Sequence, residues 1–292
     1  MDENKTSSIE KEENVQLFSQ GIESFGPWVN DLETLNKEFL NAKPFPNVEI
    51  NNFFKPEIAE ALFQVFPKVT DDHKWVVYHN PIEKKHALTD FSSLSQFKGL
   101  FSLLQTKEFV DIIKTISGID KLEADPHLHG AGLHQHIPGG KLDMHLDYSI
   151  HPITGKERRV NLIIYFTKDW QEEYGGSIEL WNEDFTKCEK KLSPCFNKAI
   201  LFRTSDVSYH GLPLPIRCPE DNSRKSIAIY YVSDPRSDLT NIRYKAQFRP
   251  LPNQPVNDKL EQLYRIREKR SITKEDLETI YPDWQTDGNG FW

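Results

Sequence analysis

Three residues of this chain have the types and spacing of a metal site. His145 and Asp147 stand two apart in Lys141-Leu-Asp-Met-His-Leu-Asp147, and His210 follows in Val207-Ser-Tyr-His-Gly211. Side chains on a strand alternate with period two, so His145 and Asp147 point to one face. Leu142, Met144 and Leu146 then turn the other way, into apolar packing. Two imidazoles and one carboxylate on a rigid sheet hold Fe(II) on one side and leave positions open for substrate and O2. Downstream, Ser223-Arg-Lys-Ser-Ile-Ala-Ile-Tyr-Tyr231 reads as an apolar strand with the Arg224 guanidinium at its mouth. A guanidinium stays charged when buried and meets a carboxylate through two parallel hydrogen bonds.

Such a constellation needs a rigid scaffold, and the chain changes texture where one is required. From about Leu128, short apolar or alternating runs are separated by Gly, Pro, Asn and Asp, the pattern of a sandwich or barrel. Candidate strands are 131–137, 141–147, 159–166, 177–181, 186–192, 198–203, 206–210 and 224–232. Helices precede them at Asn30–Phe39, Lys55–Phe66, Phe97–Leu104 and Thr106–Ile116, the last closed by Ser117-Gly118. Val48–Ile50 and Trp75–Tyr78 read as strands. After Ser233 come a charged helix, Lys259–Arg270, and a capping box, Thr273-Lys-Glu-Asp276, opening another. The expected class is α+β, mainly β: a double-stranded β-helix (jelly roll) core with an N-terminal helical buttress and a C-terminal helical extension. Its parts are a disordered tail over 1–20, a helical and strand support over 21–127, the core over 128–235 and the extension over 236–292.

The bulk properties exclude several classes. Across 292 residues the formal net charge is −8, which argues against general affinity for nucleic acid or an anionic membrane. Cys188, Cys195 and Cys218 are odd in number and lack C-x-x-C spacing, so neither a disulfide scaffold nor a zinc ribbon is indicated. The start is acidic, without a signal-peptide pattern, and no window approaches about 18 uninterrupted apolar residues. The expected location is cytoplasmic, with no membrane partner and no nucleic-acid partner.

Read together in order, these residues resemble the Fe(II)/2-oxoglutarate-dependent dioxygenases, in particular the prolyl 4-hydroxylase-like branch. The resemblance spans roughly residues 128–233. It rests on His145-x-Asp147, Tyr165-x-x-Lys168-Asp169-Trp170, Gly175-Gly176, His210 and Arg224. It implies an iron held by His145, Asp147 and His210, with O2 as oxidant and 2-oxoglutarate as cosubstrate, and ascorbate as a support for activity. Arg224 takes the position of the residue that binds the distal carboxylate of 2-oxoglutarate, and Tyr165 that of a tyrosine donating to the same carboxylate. Ser226, two residues on from Arg224, and Asn161, on the face of Ile163 and Tyr165, are further cosubstrate candidates. The implied reaction is hydroxylation of a C–H bond with release of succinate and CO2. Relatives that transfer halide replace the aspartate by a small residue, so Asp147 favours hydroxylation or desaturation.

The substrate stays open between a prolyl residue in a peptide or protein and a free amino acid or other small metabolite. Loops at Asp147–Lys156 and in the 65–95 region are candidates for its groove. A non-catalytic metal-binding β-helix sensor, or a metalloenzyme without 2-oxoglutarate, is the rival, and neither has a use for Arg224 and Tyr165 beside the metal. His127-x-His129 and His134-x-His136 lack cysteine partners, so His134, His136 and Ile163 read as pocket lining rather than a second metal site. Trp170 and Trp181 read as core, and 183–191 as a solvated hairpin.

Overall fold

The computed structural model describes residues 17–284. The tail expected over 1–20 therefore lies outside the described residues except for its last four. The N-terminal part comprises α1 (Leu32–Asn41), β1 (Asn47–Ile50), α2 (Pro56–Gln64), β2 (Val76–Asn80), β3 (Glu83–Leu88), α3 (Ser95–Leu104), α4 (Lys107–Ser117) and β4 (Glu123–Ala124). The core strands are β5 (Gly132–His136), β6 (Lys141–Leu146), β7 (Glu157–Tyr165), β8 (Ile178–Trp181), β9 (Cys188–Leu192), β10 (Lys198–Arg203), β11 (His210–Leu212) and β12 (Arg224–Ser233). The C-terminal part adds β13 (Gln247–Phe248), α5 (Asp258–Arg267) and α6 (Lys274–Ile280).

All thirteen strands join one antiparallel sheet in the order β1-β10-β7-β12-β5-β3-β6-β11-β8-β9, with β13 on β6, β2 on β3 and β4 on β12. The sheet curls on itself as a double-stranded β-helix, so its two long strands have two different faces. On β7, Val160, Leu162 and Ile164 are fully buried against the helices, while Asn161 and Ile163 face a central cavity. On β12, Ile227, Ile229 and Tyr231 join the helical layer, whereas Arg224, Ser226, Ala228 and Tyr230 face the cavity. Period-two alternation thus splits each strand between an apolar exterior buttress and a polar interior.

The buttress forms for local reasons. In α4, Thr106 accepts a hydrogen bond from the Phe109 amide at 3.3 Å, and Gly118 ends the helix at φ 66°. Its Phe109, Ile113 and Ile116 are almost completely buried, each stabilising by about 1.5–3 kcal/mol. Asp31 caps α1, Pro56 opens α2, and the expected capping box at Thr273–Asp276 opens α6.

Several local expectations are corrected. No strand occupies 206–209. Ser208 closes a turn there, accepting from the Ser205 amide at 2.8 Å, and β11 begins only at His210. Trp170 and Trp181 are half-buried rather than core: Trp170 donates to the Gly175 carbonyl at 2.8 Å and Trp181 packs on Phe185. Leu142 reaches the cavity rim, while Met144 and Leu146 pack away from it. β3 has no counterpart among the expected strands, yet it sits inside the sheet between β5 and β6. Among the described residues no helix is long and apolar enough to cross a membrane.

Candidate active site

β6 and β11 are paired so that His145 lies directly opposite His210, which brings their rings to a centroid distance of 4.4 Å. Gly211 permits this approach, since a Cβ there would meet the backbone of Leu142 and Asp143 at 2.9 Å. Asp147 follows at the end of β6, with its carboxylate 3.8 Å from His145 Nε2 and 3.4 Å from His210 Nε2. One donor atom from each of His145, Asp147 and His210 falls within 4.8 Å of the others, and no other such cluster occurs among the described residues.

The donor set suits a divalent metal. His145 Nδ1 is 2.9 Å from the Asp143 carbonyl, and His210 Nδ1 is 2.9 Å from the Ser208 carbonyl. An Nδ1–H donor in each ring leaves the Nε2 lone pair aimed at the shared site. Burial keeps both rings neutral, lowering His145 to about 3, with His210 shifted in the same direction. Burial also opposes ionisation of Asp147, but Arg158, the two imidazoles and Asn161 prevail and hold the carboxyl well below its ordinary value. Arg158 Nη2 lies 3.2 Å from Asp147 Oδ2, and Asn161 Nδ2 donates to the same oxygen at 2.7 Å. Asn161 in turn accepts from Arg158 Nε at 2.8 Å. The guanidinium of Arg158 stacks on the Tyr230 ring at 3.3 Å, which fixes its plane.

On β12, the neighbour of β7, is a second charged group with a different need. Arg224 is 2% exposed, and among the described residues no carboxylate pairs with it. Its Nε donates to the Gly176 carbonyl at 2.8 Å, and its Nη1 donates to Ser226 Oγ at 3.4 Å. Gly176 has φ 72°, and a Cβ there would crowd Trp170 and Ile216, which explains the glycine pair of the sequence. Tyr165 lies behind the guanidinium, 5.0 Å from ring centroid to Arg224 Cζ. Its hydroxyl is fully buried without a hydrogen-bond partner of good geometry. Burial pushes that hydroxyl up against the opposing pull of Arg224, so it remains a neutral donor. A buried cation, a hydroxyl acceptor-donor and an unused phenol donor together fit one arriving carboxylate.

His145, Asp147, His210, Arg224, Ser226, Asn161, His134, His136 and Ile163 all line a single cavity of about 390 Å³. Tyr165 stands behind this lining. Asn161, expected at the cosubstrate, instead holds Asp147. Both ring nitrogens of His136 are buried without partners, and burial, Arg224 and Lys85 keep the ring neutral. His129 lines the cavity as well, and it gathers with His127 around Asp125 and His151, where the Asp125 carboxylate accepts from both backbone amides and sits 3.2 Å from His151 Nε2.

Several lining residues carry no sequence signal. Arg158 precedes the expected start of its strand. Glu83 and Lys85 belong to the unexpected β3, and Tyr244, Lys245, Phe248 and Arg267 come from beyond residue 235. Phe248 stacks on His145 at 4.9 Å and 23°, and Tyr264 donates to Asp143 at 2.7 Å, beside the carbonyl that orients His145. An arginine inside a polar alternating strand looks solvated in sequence, and only its pairing with Asp147 reveals otherwise.

Comparison with known proteins agrees with this geometry. Residues 131–232 match the family model of the 2OG-Fe(II) oxygenase superfamily. Over 78 residues the chain is 31% identical to mouse prolyl 3-hydroxylase OGFOD1, a match covering 25% of this chain and 14% of that protein. The fold is shared with a Pseudomonas putida prolyl-4-hydroxylase (TM-score 0.51, 14% identity, 70% of this chain and 99% of that one). It is shared too with a Trichoplax adhaerens prolyl hydroxylase solved with a hypoxia inducible factor peptide fragment (TM-score 0.52, 16% identity, 72% and 95%).

Proposed function

We propose that this protein is an Fe(II)- and 2-oxoglutarate-dependent dioxygenase that hydroxylates a C–H bond of a prolyl residue in a peptide or protein. The observation that carries the reading is one cavity holding a neutral-imidazole and carboxylate triad together with a buried guanidinium that has no acid partner. His145, Asp147 and His210 would hold Fe(II), which would supply the chemistry that links oxidation of the substrate C–H by O2 to conversion of 2-oxoglutarate into succinate and CO2. His145, His210 and Asp147 are the ligands, and Arg158 with Asn161 orients the carboxylate among them. Arg224, Ser226 and Tyr165 receive the distal carboxylate of 2-oxoglutarate, which replaces the hydrogen bonds that Tyr165 lacks. Ascorbate supports activity by keeping the metal reduced. The prolyl assignment is supported by the mouse relative, a prolyl 3-hydroxylase, and by solved prolyl hydroxylases of the same fold.

A second reading, hydroxylation of a free amino acid or other small metabolite, is favoured by the walls of the cavity. The β2–β3 hairpin supplies Tyr78 and Lys85, and the segment after residue 235 supplies Tyr244 and Phe248, so elements outside the β-helix wall the cavity.

The test is succinate formation by the purified protein with Fe(II), ascorbate and 2-oxoglutarate, with and without O2, beside His145→Ala. Iron- and O2-dependent succinate that vanishes in the variant is expected, and proline-containing peptides should raise it and gain one oxygen atom. Absence of succinate, together with no binding of 2-oxoglutarate to the metal-loaded protein, would overturn the reading in favour of a metal-binding sensor.

A further inference from the structure

The charges facing the cavity do not balance. Five cations line it against two carboxylates, a surplus of three inside a protein whose overall charge is −8. A ferrous ion and a 2-oxoglutarate dianion cancel each other and leave that surplus in place. Arg158 is matched by Asp147, and Arg224 faces the cosubstrate position. The remaining cations of the lining are Lys85, Lys245 and Arg267, and Glu83 is the one carboxylate left among the described lining residues.

Glu83 is 1% exposed and lies between two of them. Lys85 Nζ is 2.9 Å from Oε1 and Arg267 Nε is 3.2 Å from Oε2, with the two cationic side chains only 15% and 13% exposed. Burial opposes ionisation of Glu83, but the pair of cations holds it ionised at about 2. One carboxylate cannot neutralise two cations, so one positive charge stays largely desolvated, which is costly unless an anion completes the set. The donors for such an anion exist. Within the described residues, Nε makes the sole hydrogen bond of Arg267, and the Lys85 ammonium meets one oxygen of Glu83 and lies over the Tyr78 ring at 5.0 Å, which leaves N–H donors on both cations.

The cluster is placed within reach of the metal. Arg267 lies over the Phe248 ring at 5.0 Å, and Phe248 stacks on His145 at 4.9 Å. Lys85 projects from β3, which neighbours β5, and on β5 His136 is paired with Arg224 on β12. Two strand spacings, roughly 10 Å, therefore separate the backbones of Lys85 and Arg224, and their side chains enter the cavity from different strands.

We propose that the site takes an anionic substrate, with Lys85 and Arg267 binding its carboxylate while the C–H bond to be oxidised lies over the metal. This rests on the dioxygenase reading for the reaction, but not for the binding. A free small acid and an acidic side chain beside a prolyl residue offer the same carboxylate, and the experiment separates them.

The experiment measures binding and turnover with N-acetylated, C-amidated Glu-Pro-Glu, Gln-Pro-Gln and Lys-Pro-Lys tripeptides, and with free N-acetylproline against N-acetylprolinamide. Binding is titrated calorimetrically on the Zn(II)- and 2-oxoglutarate-loaded protein, which needs no catalysis. At least tenfold preference for the acidic member is expected, in the peptide arm or in the free-acid arm, weakening as salt is raised. In the Lys85→Gln/Arg267→Gln variant the preference, a ratio taken within one protein, should fall below about threefold, and Arg267→Lys should retain part of it. Equal affinity for acidic, neutral and basic members in the wild type overturns the proposal. So does a double variant that keeps the full preference while demanding more 2-oxoglutarate, because the cluster would then serve the cosubstrate. Acid-selective binding without succinate from any condition sustains the anion site and removes the dioxygenase reading instead.

Discussion

Arg224 carries a full charge into a site from which water is nearly excluded, and its protein partners are a carbonyl and a hydroxyl rather than an acid. A charge-assisted bidentate contact is worth about 1.5–3 kcal/mol, or roughly ten- to a hundredfold in an equilibrium constant. Arg224→Ala is accordingly expected to raise the apparent KM for 2-oxoglutarate by that factor in the succinate assay. An unchanged KM would remove the argument for this cosubstrate. The same reasoning separates Arg224 from Arg158, which is equally buried but spent on Asp147. The two arginines differ by what faces them, and residue type alone does not distinguish them.

At the scale of elements, the segment between β12 and β13 works as a strap across the metal site. Its Arg243 donates through Nε to the Asp147 carbonyl at 3.1 Å and pairs through Nη1 with Asp206 at 2.5 Å, on the turn that leads to His210. Its backbone exchanges hydrogen bonds with Ser149, the amide of Ser149 donating to the Arg243 carbonyl at 2.8 Å and the Arg243 amide donating to Ser149 Oγ at 2.8 Å. One side chain thus joins the segment that carries Asp147 to the turn before His210. Arg243→Ala is expected to weaken Co(II) binding by tenfold or more and alter the visible spectrum of the bound ion. Arg243→Lys should recover less than half of the loss in binding energy, since an ammonium cannot reach both loops with a planar fork. A variant with lower thermal stability but wild-type metal affinity and spectrum would reduce Arg243 to a structural tie.

On the scale of the whole molecule, the cavity is assembled from three regions remote in sequence: the β2–β3 hairpin, the β-helix strands and the C-terminal helices. Glu83 is the joint, since Arg267 of α5 reaches it across 184 residues. Its folded value near 2 lies below the ordinary 4.5, so the stabilisation it provides is complete above about 4.5 and is lost as pH falls through 2. Glu83→Gln leaves two buried cations without their acid and is expected to cost about 3–5 kcal/mol at neutral pH. Urea unfolding should show the gap between wild type and variant narrowing from pH 4.5 toward 2. A gap independent of pH would mean that Glu83 contributes packing rather than charge. At this scale also, a cationic cavity in an acidic protein focuses the field inward, drawing anions to the site while the exterior repels them.

The β-helix class, the common face of His145 and Asp147, the Arg224 strand and the helical buttress were legible in the sequence alone, because each depends on interactions between near neighbours. The two-residue spacing of His145 and Asp147 sets a common face, Thr106 and Gly118 bound a helix, and turn residues divide the strands. Only the tertiary structure decided that Arg158 and Asn161 hold Asp147, that Phe248 covers His145, and that Lys85 and Arg267 share Glu83. β3, with its Glu-Lys-Lys-His, lacks the apolar alternation of a buried strand because its inner face borders a polar cavity. A charged side chain has the same local signature in water and in a cavity, and what distinguishes them is a partner supplied from elsewhere in the chain.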